Sequence, residues 1–239
     1  MSSFFDFLAG MPRYEGREEA SEIRLNIRRD FIVTPFEEEL RDARVLDLAS
    51  HDGRWSYALS AAGAREVVGI EGRGELIERF TQFPDTEARA RVRFIEGDIF
   101  EQLEKLVDAG ETFDVVAVYG IFYHVMDHYR LLRLIAGVKP KLVIIDSEFL
   151  IQGGSFIRVT VEDTRKILNA IPNDANQVMA PKGIPSRKAV DVMADTLGFT
   201  TEWVDWNKLP EDQRSKVRDY YRQKPSLNRR GTCVLRPRG

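Results

Sequence analysis

Residues 44–55, RVLDLASHDGRW, constrain this chain more than any other stretch. Val45, Leu46 and Leu48 form a short apolar run of the kind a parallel sheet buries on both faces. Asp47 falls at the carboxyl end of that run. Ala49, Ser50 and Gly53 are small, which lets a ligand come close to the backbone. Trp55, Tyr57, Ala58 and Ala61 then recur at helical spacing, and Gly63 suits a helix C-terminus. Open α/β sheets take ligands in the crevice beyond the carboxyl ends of their strands, so this turn is the prime candidate site. It lacks the full G-x-G-x-x-G of dinucleotide-binding folds and on its own identifies no ligand.

The next segments repeat the alternation of strand and helix. Residues 66–70 form a second strand ending in Glu71, 18 residues beyond Gly53. An acid at that place hydrogen-bonds ribose hydroxyls in dinucleotide folds; the alternative is a solvated strand-end carboxylate. Leu76, Ile77 and Phe80 share one face of a helix over 75–83. A third strand at 92–95 leads to Gly97, Asp98 and Ile99. Asp98 has two compatible roles: accepting from an exocyclic amine while Ile99 packs on an adenine face, or N-capping a helix over 100–107. Residues 113–119 are nearly all apolar and predict the sheet centre, terminated by Gly120. Leu131, Leu132, Leu134 and Ile135 give a buried helix face that ends before Pro140. The fifth strand covers 142–146, with Ser147 and Glu148 just past its end. This order argues a parallel, doubly wound sheet.

Beyond Glu148 the pattern changes. Residues 156–161 alternate and predict an extra edge strand. Residues 171–185 are polar, contain Pro172, Pro181, Gly183 and Pro185, and read as a long loop. Ser186 can cap a helix carrying Val190, Met193, Ala194 and Leu197, closed by Gly198. Strands at 199–206 and 231–235 complete the chain. Ahead of the organising strand, Phe4, Phe5, Phe7, Met11 and Tyr14 are too apolar for a free tail. Residues 18–39 read as helical, broken near Pro35. That segment is either a packing cap or a lid that brings Asn26, Arg28 or Arg29 to a carboxylate.

Bulk properties exclude several classes. The 239 residues suffice for one α/β domain with additions or two small ones, and a net charge of −3 gives no global pull toward nucleic acid or membrane. From residue 214 to 239, however, nine Lys or Arg face a single acid, Asp219, giving a solvated tail or a contact surface for an anionic partner. The lone Cys233 excludes an intramolecular disulfide and fits a reducing, cytoplasmic setting. The first ten residues lack a basic n-region, and no apolar run of about 18 residues spans a membrane.

Taken in order, VLDLASHDG (45–53), VVGIE (67–71), FIEGD (94–98) and FDVVAVY (113–119) resemble the class I SAM-dependent methyltransferases. The resemblance is close over about residues 42–150. It implies a Rossmann-like, doubly wound, seven-stranded α/β sheet whose last strand is antiparallel, preceded by an N-terminal helical lid. The implied division is a cap over 1–41 and a SAM-binding domain over 42–239, with an insertion at about 149–185 forming part of the acceptor pocket. The implied roles place the methionine part of SAM on Asp47 and the turn of Ala49, Ser50 and Gly53. They place the ribose on Glu71 beside Gly72, and the adenine on Asp98 and Ile99. Tyr119 and Gly120 line the cofactor. Where the family turn carries glycine, this chain has Ala49 and His51, so the turn must tolerate a side chain at 51. Residues 120–124 (GIFYH), 185–187 (PSR) and 199–206 resemble a bacterial subgroup of O-methyltransferases. That subgroup is similar both to tRNA wobble-uridine modifying enzymes and to sugar O-methyltransferases such as the mycobacterial enzyme of methylmannose polysaccharide synthesis, the second being the closer match.

Methyl transfer from a sulfonium is an in-line displacement, and a hydroxyl acceptor needs its proton removed. His124, just after the fourth strand, is the first choice of general base. Its alternative is a histidine satisfied at a helix start. Asp146 and Glu148 come next, one of them orienting His124. The other reading has His124, Asp146 and Glu148 ligating Mg2+ to lower the hydroxyl's pKa. His124 and His128 have zinc-like spacing without an evident third ligand. The expected acceptor is a small, carbohydrate-like molecule; the alternatives are an RNA substrate or a non-catalytic SAM-binding subunit. No membrane partner is expected, and a homodimer is left open.

Overall fold

The computed structural model describes residues 3–11, 21–172, 176–218 and 227–239. Tyr14, the start of the expected 18–39 helix and Asp219 lie outside the described residues. The strands, in chain order, are β1 (Arg44–Leu48), β2 (Glu66–Glu71), β3 (Val92–Glu96), β4 (Val115–Tyr119), β5 (Leu142–Leu150), β6 (Ile157–Asp163), β7 (Met179–Pro185), β8 (Phe199–Trp203) and β9 (Asn228–Pro237). The helices are α1 (Ser21–Ile32), α2 (Glu37–Leu40), α3 (Arg54–Ala61), α4 (Gly74–Arg79), α5 (Glu87–Ala90), α6 (Ile99–Asp108), α7 (His128–Gly137), α8 (Arg187–Thr196) and α9 (Glu211–Arg214).

Seven strands form one sheet in the order β3-β2-β1-β4-β5-β9-β8. The first five are parallel; β9 runs antiparallel to β5 and β8 on either side. This is a Rossmann-like, doubly wound seven-stranded α/β sheet, as expected. Its strand order reverses between β1 and β4, so their carboxyl ends diverge into a crevice.

Every residue of β4 is buried, as an all-apolar run at the centre of a sheet demands. Alternate side chains serve two cores. Val45, Val115, Ala117, Tyr119, Leu142 and Ile144 pack beneath α1 and α3. Leu46, Leu48, Val116, Val118, Val143 and Ile145 pack against α6, α7 and α8. By the same alternation Asp47 and Asp146 face the first of these layers. Side-chain caps start four of the α-helices: Thr86 for α5, Asp98 for α6, Asp127 for α7 and Ser186 for α8. Each such cap contributes about 1 kcal/mol.

The N-terminal segment is built into the first core. Phe5 is fully buried, with its ring 5.2 Å from Trp55. Its backbone N–H donates to Asn26 Oδ1 at 2.8 Å. Phe7 packs edge-on against Phe83, and Phe31 stacks on Trp206 at 4.7 Å.

Three sequence expectations need correction. Residues 156–161 do not add an edge to the main sheet: β6 pairs antiparallel with β7 in a separate two-stranded sheet. The expected loop over 171–185 therefore contains a strand. Pro181 and Pro185 disguised it, yet a strand with one partner has a side on which a missing N–H costs nothing. Likewise β5 does not stop at Asp146. It continues through Ser147 and Glu148 to Leu150, in register with β9 from Val143↔Leu235 to Leu150↔Asn228. Three arginines of the basic C-terminal stretch are correspondingly tied down: Arg230, Arg236 and Arg238 pair with Asp146, Glu39 and Asp195. Among the described residues no helix is long and apolar enough to cross a membrane.

Candidate active site

The turn after β1 is held in a conformation side chains seldom adopt. Ala49, His51 and Gly53 have φ of 53°, 57° and 78°. Only the third is a glycine, and it has a packing reason as well. A Cβ at Gly53 would lie 2.5 Å from Phe80 and 2.6 Å from Phe94. Strain at the other two positions costs about 1–2 kcal/mol per residue and is offset by cross-strand ties. Ser50 N–H donates to the Ile70 carbonyl at 2.9 Å. His51 N–H donates to Glu71 Oε2 at 2.8 Å, and Arg73 N–H donates to Glu71 Oε1 at 3.0 Å. The Glu71 carboxylate, 5% exposed, thus fixes the turn while facing a cavity of about 810 Å³.

That cavity opens at the crevice between β1 and β4. Ala49, Ser50, His51, Glu71, Gly72, Asp98, Ile99, Tyr119 and Gly120 line it, together with His124. Asp47 and Gly53 do not. Asp47 lies beneath the turn and accepts from Ser56 Oγ at 2.6 Å. Burial, reinforced by the Glu71 charge and opposed by Ser56, pushes the Asp47 carboxyl up to about 7. Asp98 Oδ1 accepts from the N–H groups of Phe100 and Glu101 at 2.9 and 3.2 Å, which is the N-cap role. Tyr119 turns its hydroxyl away to donate to the Ile32 carbonyl at 2.9 Å. Gly120, at φ 91°, donates its N–H to the Asp146 carbonyl at 2.8 Å.

The sign of the Asp47 shift gives a testable pH dependence. Its folded pKa of about 7 lies above the 3.8 of an exposed carboxyl. The folded state therefore binds the extra proton between those values, and stability is lost as pH rises through that window. The Asp47→Asn protein is expected to gain melting temperature over the parent at pH 8 and to lose that gain at pH 4, measured by thermal unfolding without ligand.

His124, which also lines the cavity, is 6% exposed. Its Nδ1 lies 2.7 and 2.8 Å from the two oxygens of Glu162, on β6. Glu162 also accepts from Ala170 N–H at 2.9 Å and pairs with Lys182 Nζ, on β7, at 2.9 Å. Burial lowers the imidazole pKa, an effect that Glu162 opposes and the Lys182 and Arg230 charges reinforce. The Glu162 carboxyl itself is raised by burial, but His124, Ala170 and Lys182 outweigh that and hold it at about 2.

Asp146 is therefore not the carboxylate that orients His124. It is fully buried between Arg28 Nη2 at 2.8 Å and Arg230 Nε at 3.1 Å, and accepts from Thr232 Oγ1 at 2.8 Å. Glu148 pairs with Asn228. The expected metal set of His124, Asp146 and Glu148 is not assembled, and among the described residues no group of three His, Cys, Asp or Glu side chains is gathered for a metal. His128 is also committed elsewhere, with Nε2 3.1 Å from the Gly183 carbonyl.

Of the three side chains expected from a lid, Arg28 alone reaches the cavity, through Asp146 and the Trp55 ring 4.7 Å away. Asn26 bonds Phe5 and Asp6, and Arg29 lies over Phe4. Sequence reasoning missed Glu162, Lys182, Arg73 and Arg230. One signal was available for Glu162: the alternation over 156–161, extended by one residue, puts it on the same face as Thr160.

Residues 45–140 match a family model described as a methyltransferase domain. The matched segment runs from β1 to just past α7. A tRNA U34 carboxymethyltransferase of Cellvibrio japonicus is 25% identical over 75% of this chain and 57% of its own length. A ubiquinone biosynthesis O-methyltransferase of Azorhizobium caulinodans is 33% identical over 46% of this chain and 44% of its own. The chain thus spans roughly half the length of these curated relatives. Among solved structures, the N-terminal domain of EvdMO1, in the presence of SAH and D-fucose, superposes with a TM-score of 0.65 at 18% identity, covering 95% of this chain and 90% of that one. An S-adenosylmethionine-dependent methyltransferase from Mesorhizobium loti gives a TM-score of 0.56 at 17% identity, over 84% of this chain and 96% of that one. At these identities the likenesses show a shared fold, which runs past residue 140.

Proposed function

We propose that this chain is a SAM-dependent O-methyltransferase acting on a hydroxyl of a small, carbohydrate-like acceptor. One observation carries the reading: a histidine with Nδ1 pinned to a carboxylate stands in the wall of the same cavity as Glu71 and Asp98. The residues present fit the cofactor. Glu71 keeps acceptor capacity for a pair of ribose hydroxyls while its oxygens hold the turn. Ile99, at the start of α6, gives an adenine an apolar face. A cavity of about 810 Å³ accommodates a nucleoside with a small partner.

When bound, S-adenosylmethionine supplies an electrophilic methyl carbon on a positively charged sulfur. The Glu162 carboxylate fixes the proton on His124 Nδ1, which leaves the Nε2 lone pair as the base. Glu71 and Ile99 would hold S-adenosylmethionine, and passing its methyl to the acceptor oxygen would leave the carbon–sulfur electron pair on sulfur. The acceptor proton goes to Nε2, and Glu162 stabilises the resulting imidazolium. Asp146, between Arg28 and Arg230, shapes the acceptor end without meeting the proton.

The carbohydrate reading is supported by the D-fucose present with the EvdMO1 domain. The tRNA enzyme named above favours a second reading, an RNA acceptor. A methyl-transfer assay with radiolabelled SAM against a panel of deoxysugars, hexoses and bulk tRNA decides between them. Label in the sugars supports the proposal. Label in tRNA alone, with binding that weakens steeply as salt rises, replaces it with the second reading.

A further inference from the structure

Between β6 and β7 the chain crosses the cavity. Ile167, Leu168, Asn169, Ala170, Ile171 and Pro172 all contribute to its wall. Arg73, just past β2, holds this strap down: Nη1 donates to the Asn169 carbonyl at 3.0 Å and Nη2 to the Thr164 carbonyl at 3.3 Å. Ile171 presses on Gly72, where a Cβ would lie 2.9 Å from its Cδ1. The strap therefore covers the end of the cavity where Glu71 stands. Its other attachment is Ala170 N–H on Glu162 Oε1 at 2.9 Å. One short segment thus touches both the nucleoside end and the partner of His124.

We propose that Glu162 is the positioning residue of the reaction: it holds His124 as the Nδ1–H tautomer, and the strap that covers the nucleoside end holds Glu162. The inference rests on the reading of His124 as the base. A carboxylate placed with both oxygens within 2.8 Å of Nδ1 accepts only, so the proton must sit on Nδ1. A glutamine of the same length also presents an N–H donor there and can turn the imidazole to the wrong tautomer. Among the described residues, the charged or titratable groups facing the ring are Glu162 and Lys182 from the hairpin, Arg230 from β9 and Tyr123, whose ring centre is 4.0 Å away. Glu162 and Lys182 act on the imidazole in opposite directions, so replacing each is expected to move its titration in opposite senses.

The test combines imidazole 15N spectra with kinetics on the full chain. In the parent, His124 is expected as the Nδ1–H tautomer, with signals that shift on adding SAH. Glu162→Gln should lose that tautomer and its response to SAH. Its kcat should fall by about 10²-fold or more while KM for SAM changes less than about threefold. Its acid limb should move to lower pH. Lys182→Gln should move the acid limb to higher pH, and Glu162→Asp should recover part of kcat. If Glu162→Gln does not fold, the Lys182→Gln shift and the parent tautomer carry the test. An Nε2–H tautomer in the parent, or acid limbs that move together in both variants, overturns the proposal. Normal turnover in His124→Ala removes the base reading by itself, and the imidazole spectrum still decides whether Glu162 sets the tautomer.

Discussion

Replacing His124 with alanine is expected to lower turnover by about 10²–10⁴-fold, the usual worth of a positioned general base. SAH affinity should change by no more than about twofold, because the imidazole bonds to Glu162 and not to Glu71, Asp98 or the turn after β1. The same assignment fixes the pH profile. Burial lowers the imidazole pKa from 6.5, more than Glu162 raises it. The neutral form, with Nε2 ready to accept, is then the dominant one at neutral pH. Activity should rise from the acid side with an apparent pKa below 6.5 and stay flat through pH 7–8. Stability follows the same sign. Below 6.5 the unfolded chain takes up a proton the folded chain resists, so acid destabilises the fold through His124. Steady-state kinetics and SAH calorimetry on the alanine variant check the first claim. A variant that turns over at the parental rate disproves it.

Glu71→Ala is expected to weaken SAH binding by about 10²–10³-fold. Two effects combine. A charged acceptor for two hydroxyls is lost, each such bond being worth about 1.5–3 kcal/mol. The N–H groups of His51 and Arg73 also lose the carboxylate that holds them at 2.8 and 3.0 Å. With the turn untied, Ala49 and His51 have less reason to keep positive φ, and the cavity wall they form relaxes. Glu71→Gln keeps one carbonyl acceptor and should lie between the two in affinity. Calorimetry with SAH, with melting curves to confirm folding, is the measurement. Unchanged affinity in the alanine variant removes Glu71 from the cofactor site.

The main sheet is legible in the sequence for a simple reason. In β1, β4 and β5 both faces are buried, so the strands are runs of apolar residues and their polar tips stand out. Glu71 and Asp98 were visible as carboxylates at such tips, and Asp98 also as a helix cap. The hairpin was hidden because β7 carries Pro181, Gly183 and Pro185, residues a central strand excludes and a strand with one partner accepts. The end of β5 was hidden by Ser147 and Glu148, whose polarity imitates a strand end. Their pairing with Gly231 and Arg230 lies more than 80 residues away in sequence. The partner of His124 was hidden for the same reason. No local pattern announces that residue 162 will meet residue 124; Asp146 was closer to hand and carried the right chemistry, but two arginines occupy it.

The slot that β9 fills has a consequence for biosynthesis. β9 is made after both of its neighbours, yet it lies between them and supplies Arg230 to Asp146. Until residue 228 clears the ribosome, the growing chain holds β5 with one side unpaired and β8 with nothing to join. Nascent molecules halted in that interval would expose a long apolar ribbon to one another. Deletions that remove β9 should therefore partition into inclusion bodies.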